Sequence, residues 1–230
     1  MIEEVLSCGV DANELIDGKS PLDELVEMYY RSAQFSRCVR SLVRFGAQCD
    51  NEALLAVLLD DAELLATVLK NNPATMNQTI DLRCAFTPLM GASLLHVACE
   101  YGNLNAATVL LAAGIDIEAK ASLDEYGFNG QTPIFHTVCQ HRNHCLPVLR
   151  LLLSHGAKTD VRLSGITWGK GFEWETTLFD QTPISYAQAG LLRQFQREEN
   201  DVYENIRLLM AAGGRAIPEE LNVPNAYLRG

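Results

Sequence analysis

The sequence predicts an all-α solenoid of stacked helix–turn–helix units joined by extended inter-repeat loops. Two observations carry that prediction. A helix-opening motif recurs at Ser20-Pro21-Leu22, Thr132-Pro133-Ile134 and Thr182-Pro183-Ile184. An apolar run closed by glycine recurs at Leu42–Gly46, Leu110–Gly114, Leu151–Gly156 and Leu208–Gly213. Proline at the first helical position is favoured because its missing N–H would be unpaired there anyway. A closing glycine enters the left-handed region without Cβ strain.

The clearest unit runs from Gly91 to Ile117. Ser93 stands where a helix N-cap is needed, Gly102 where the first helix must end, and Gly114 where the second must. Leu95, Ala98 and Cys99 share one helical face; Leu104, Ala107, Leu110 and Leu111 share another. Neither helix could bury its stripe alone, but stacked copies could. Val5–Asn13 reads as the second helix and exit turn of a unit whose first half is absent. Between Asn51 and Asn72, Leu54-Leu55 and Leu64-Leu65 mark two helices, with Asp60-Asp61 in place of the glycine turn.

This pattern resembles the ankyrin repeat, G-x-T-P-L-H-x-A-A-x-x-G followed by L-L-x-x-G-A-D. The resemblance implies one domain over 1–230: a half repeat at 1–16, repeats at about 17–49, 50–81 (degenerate), 91–120, 130–162 and 180–215, and a long insertion at 163–179. His96 takes the motif's histidine position, which the family uses for hydrogen bonds between repeats. The closing glycines step from 114 to 156 to 213, against a family period of about 33 residues. The excess falls at Ser122–Asn129, Arg142–Pro147, Leu163–Phe179 and Arg193–Asp201. With its Gly171–Asp180 insertion, the chain resembles a bacterial-looking group of ankyrin proteins.

The net charge is −11. That argues against nucleic acid and anionic membrane as partners, since both call for a basic surface, and it permits a basic protein partner. The N-terminus is acidic and lacks the long apolar stretch of a secretory leader, and no apolar run approaches the ~20 residues of a membrane span. Cysteines 8, 38, 49, 84, 99, 139 and 145 are odd in number and scattered, as expected of reduced thiols in a cytoplasmic protein. The sequon Asn77-Gln78-Thr79 carries little weight in such a compartment.

The ankyrin resemblance implies a binding scaffold without a cofactor. Its concave face is formed by first helices and inter-repeat loops, so the positions before each hairpin turn should face a partner. These are Glu100 and Tyr101, then Cys139 and Gln140. Tyr126, Phe128, Trp168, Phe172 and Trp174 should project from the loops on the same side. Two readings of Trp168 and Trp174 stand open: a binding finger, or a loop sealed against the solenoid. A second function class is a metal- or small-molecule enzyme around His136, His141 and His144, in a run that also holds Cys139 and Cys145. A third is a dedicated inhibitor or immunity-type protein. Against metal, His136 and Cys139 are expected on a first helix while His144 and Cys145 fall in the following turn, and no established zinc spacing fits. Gly169-Lys170-Gly171 fails as a phosphate loop, lacking the Ser/Thr after Lys and the strand–helix frame. No Gly-x-Ser-x-Gly elbow occurs. Arg37, Arg40 and Arg44, at helical spacing, form either a grip for an acidic peptide or a solvated outer face.

Overall fold

The structure, a computed structural model, describes residues 2–28, 31–83, 87–189 and 198–215. Paired helices follow one another along the chain. Helix α1 (Ile2–Ser7) is the half unit, and it packs on α3 (Phe35–Arg44), the partner of α2 (Pro21–Glu27). Helices α4 (Glu52–Leu58) and α5 (Ala62–Asn71) form the next hairpin, then α6 (Leu94–Tyr101) and α7 (Leu104–Ala112). Helices α8 (Leu146–Ser154), α9 (Pro183–Gln188) and α10 (Glu199–Ala212) complete the array.

The architecture is not purely helical. Strands β1 (Ile80–Leu82) and β2 (Leu89–Ala92) form one antiparallel hairpin, and β3 (Leu163–Trp168) and β4 (Thr176–Gln181) form another. In the second, Leu163 opposes Gln181 and Trp168 opposes Thr176. The expected 163–179 insertion is therefore a β-hairpin. Its Leu163–Trp168 and Thr176–Phe179 arms are rich in β-branched and aromatic residues, which suit a pleated surface. Gly169 turns at φ +55°, and a Cβ there would lie 2.2 Å from the Trp174 ring. Only glycine lets that ring close over the turn.

The fourth full unit also departs from expectation. Pro133–Thr137 forms a 3-10 helix rather than an α-helix, so Cys139 lies beyond its end. Where the preceding unit has Gly102, this one lacks glycine, and Arg142 and Asn143 take up the left-handed turn at φ +50° and +53°. The lengthened connection ends at α8, with Pro147 in its first turn.

Every residue of α6 is buried, as expected of a helix at the centre of a stack. The degenerate α4–α5 hairpin is held on both sides. Asn103 Nδ2 donates to the Val57 carbonyl at 2.7 Å, and Arg40 Nη2 to that of Leu59 at 2.9 Å. The first joins the Asp60 N–H on the Val57 carbonyl, and the second gives a partner to the carbonyl at the C-cap of α4. Asp60 stands in for the glycine turn at φ +52°, a conformation Asp tolerates better than most residues. Its carboxylate accepts from the Ala106 N–H and from Asn105 Nδ2, both at 2.9 Å. Of the arginine stripe, Arg40 thus ties repeats together. Asn13 does the same for the half repeat, donating to the Gly46 carbonyl and accepting from the Gln48 N–H.

Candidate functional site

Two polar constellations stand out, one sealed and one open. The sealed one centres on Glu100. Its Oε2 accepts from His136 Nδ1 at 2.8 Å, and its Oε1 lies 3.3 Å from Arg31 Nε, with all three side chains buried. The segment carrying Arg31 lies across the end of α6. The Arg31 guanidinium sits 4.8 Å from the Tyr101 ring centre, and Phe35 stacks on that ring at 4.1 Å. Tyr101 Oη donates to the Val26 carbonyl at 2.5 Å. Glu100 and Tyr101 were expected to face a partner; instead Val26, Arg31 and Phe35 of the α2–α3 unit cover them. Cys139 and Gln140 are likewise interior. The Cys139 thiol donates to the Tyr186 carbonyl at 2.9 Å, beneath α9, and Gln140 Nε2 donates to the His136 carbonyl at 3.3 Å.

The expected first-helix placement holds for His136, in the 3-10 helix, and gives way for Cys139. His136 points to Glu100, His144 Nδ1 lies 3.0 Å from the His141 carbonyl, and the Cys145 thiol is directed at the Glu100 carbonyl. His136, Cys139, His144 and Cys145 are thus each engaged in internal contacts. Among the described residues, no group of three or more His, Cys, Asp or Glu is placed to hold a metal ion.

His96 packs edge-on against His136 at 5.5 Å. Its Nδ1 accepts from the Ser93 N–H at 3.0 Å, so Nε2 carries the proton and donates to the Gln131 carbonyl at 2.9 Å. This is the inter-repeat hydrogen bond expected of the motif histidine. Burial, then the nearby His136, push its pKa down to about 3. Folded chains therefore keep His96 neutral where unfolded chains protonate it, from about pH 6.5 down to about pH 3. More protons bound when unfolded means stability lost as pH falls. We expect the urea midpoint to drop on acidification from pH 7 to 5, at up to about 1.4 kcal/mol per pH unit from this group. The slope should be shallower in His96→Gln; an equal slope in both proteins would assign the acid sensitivity elsewhere.

The open constellation lies among the loops. Residues 122–130 are clamped between the two hairpins: the Ser122 N–H donates to the Met90 carbonyl at 2.8 Å, and the Asn129 N–H to that of Gly165 at 2.8 Å. Asp124 builds the turn, accepting from the Tyr126 and Phe128 N–H groups and from Asn129 Nδ2. Lys170 Nζ reaches Glu125 at 2.6 Å. Between these elements lies a cavity of about 310 Å³, lined by residues that include Asp81, Met90, Leu123, Asp124, Gln131 and Lys170.

The two tryptophans divide between the open readings. Trp168 is buried, and its Nε1 donates to Tyr186 Oη at 2.9 Å. That oxygen also meets Thr87 Oγ1 at 2.7 Å, and burial pushes the phenol pKa well up, so it stays protonated. Trp168 is a core residue. Trp174 remains partly in solvent at the hairpin tip, stacked with Phe172 at 5.2 Å. Tyr126 is 75% exposed and Phe172 52% exposed; Phe128 is half-buried, edge-on to Phe179 at 5.5 Å. Leu123 on the 122–130 loop, Met90 on β2 and Phe179 on β4 are also exposed, and sequence reasoning missed them. Phe179 was findable, since alternation along β4 places it opposite in sense to Leu178.

A family model for ankyrin repeats, in three copies, matches residues 54–163. Over that stretch the chain carries ankyrin repeats. The match takes in the α4–α5 hairpin and ends at the first residue of β3, so the second hairpin is an elaboration beyond the matched ankyrin repeats. No curated protein matches the chain significantly. Ankyrin repeats are generally protein–protein interaction modules, and no helix among the described residues is long and apolar enough to cross a membrane.

Proposed function

We propose that this ankyrin protein is a non-catalytic scaffold that binds a protein partner through its inter-repeat loops. The observation that carries the reading is the set of large apolar side chains left exposed on the two hairpins and the 122–130 loop: Met90 and Leu123, which line the cavity, and Tyr126, Phe172, Trp174 and Phe179. Single exposed apolar residues are ordinary, but several large ones on connecting segments held by a rigid array are the form of an interaction site. The loops are braced by the hydrogen bonds of Ser122, Asp124 and Asn129. Such a surface loses little conformational freedom on binding, and its aromatics supply burial at the contact. With Glu100, Tyr101, Cys139 and Gln140 interior, the loops rather than the concave helices carry the proposal. An inhibitor that plugs a partner's active site with the hairpin tip is a special case of the same reading.

The test is affinity capture from the native cell extract with wild type and with a Phe172→Ala/Trp174→Ala double variant. We expect one specific protein to be captured by wild type and its affinity to fall by at least about tenfold in the variant, as for aromatic hot spots. Because both side chains are partly solvated, the variant should unfold within about 1 kcal/mol of wild type. Undiminished capture by a folded variant would remove the hairpin tip from the interface.

A further inference from the structure

Three carboxylates, Asp81, Asp124 and Glu125, line the loop cavity against one ammonium, Lys170. A cluster of acids is ordinary on an acidic protein. What sets this one apart is Gln131, which lines the same cavity while being 1% exposed. Its Nε2 donates to the Pro88 carbonyl at 2.6 Å, which fixes the amide's orientation. Its Oε1 is buried and has no hydrogen-bond partner among the described residues. A buried acceptor left unpaired costs about 1–3 kcal/mol, so a donor arriving there recovers that cost. The cavity, of about 310 Å³, sits at the small end of ligand pockets, which span about 300–1,000 Å³.

We propose that this cavity receives an arginine side chain from the protein partner, an assignment that rests on the scaffold reading above. A guanidinium is planar, permanently charged and carries only donors. It can meet an orphan carbonyl oxygen and neighbouring carboxylates together, while its methylene stem packs on Met90 and Leu123 at the wall. Asp81 uses Oδ1 to accept from the Gly91 N–H at 2.6 Å, and the charge on that carboxylate adds to the attraction. Lys170 is no strong competitor: its pair with Glu125 is half-exposed on both sides, and such pairs contribute little. The exposed aromatics that follow lining residues in the chain, Tyr126 after Glu125 and Phe172 after Lys170, then cover the residues flanking the arginine.

The test begins with a random peptide library displayed on phage and selected against the full chain. Selected peptides are synthesised, and each arginine is replaced in turn by citrulline, which keeps the shape and removes the charge. We expect enrichment of arginine and a loss of at least about tenfold in affinity at one citrulline position, the scale of a desolvated charge-assisted contact. Asp81→Asn, which retains an acceptor for Gly91, should weaken the arginine peptide by about threefold or more and leave its citrulline counterpart unchanged. Enriched peptides with no basic side chain, or citrulline binding as well as arginine, would overturn the arginine pocket while the scaffold stands. No enrichment of any peptide would count against both. The citrulline comparison changes only the peptide, so it holds whatever the Asp81 variant does to folding.

Discussion

Replacing Glu100 by alanine is expected to destabilise the protein by about 3–5 kcal/mol, the range for breaking a buried ion pair from one side. The reason lies in what is left behind. Arg31 and His136 both address the Glu100 carboxylate, and all three side chains are buried. Without the carboxylate, a guanidinium and an imidazole remain in the interior facing each other. The Arg31 segment should then detach from α6, exposing the Tyr101–Phe35 stack. Glu100→Gln keeps an acceptor and should cost less than alanine. Urea unfolding read at unchanged m-value measures both. A loss below about 1 kcal/mol for alanine would mean that the network contributes no more than a surface pair and that the covering segment is held by apolar contacts alone.

Trp168→Ala is expected to cost about 3–5 kcal/mol, as for other large-to-small changes of buried aromatics. Trp168 fills the space between β3 and α9, and its indole N–H is a partner of Tyr186 Oη. Truncation opens a cavity and leaves the Tyr186 hydroxyl with Thr87. Trp168→Phe should recover part of the packing and none of the hydrogen bond. The contrast with Trp174 is the informative comparison. Thermal unfolding of the two single alanine variants should show a large drop in Tm for Trp168 and a small one for Trp174. Equal drops would contradict the division of the pair into a core residue and a surface residue.

The stacked hairpins were legible in the sequence because their signals are local. Proline at the start of α2 and α9, the glycines after α6 and α7, and the apolar stripes are set by each helix's own geometry. The degenerate hairpin at α4–α5 was legible as two helices, but the reason it packs was not. Asp60 serves as turn and as cap only because Asn105 and Ala106, far along the chain, arrive beside it. The second β-hairpin was read as a loop because a few alternating residues within a helical protein give a weak period-2 signal. The site was legible only in part. Tyr126, Phe172 and Trp174 emerged as exposed from the aromatic composition of the insertions. Glu100, Tyr101, Cys139, Gln140 and Trp168 did not, because whether a given face is covered depends on which neighbouring segment folds over it. For α6 that segment carries Arg31, which contributes no repeat signature of its own. Gln131 was invisible in sequence, since an unpaired acceptor is defined by what fails to reach it.

If a protein partner is recognised by the loop face and not by the helical back of the array, protection on binding should fall on the loops. Hydrogen–deuterium exchange on the wild-type chain, free and bound to its captured partner or to a selected peptide, measures this. Protection gained over residues 122–130 and 169–175, with α5, α7 and α8 unchanged, is the predicted result. Protection confined to α5, α7 and α8, with those loops exchanging as in the free protein, would contradict it.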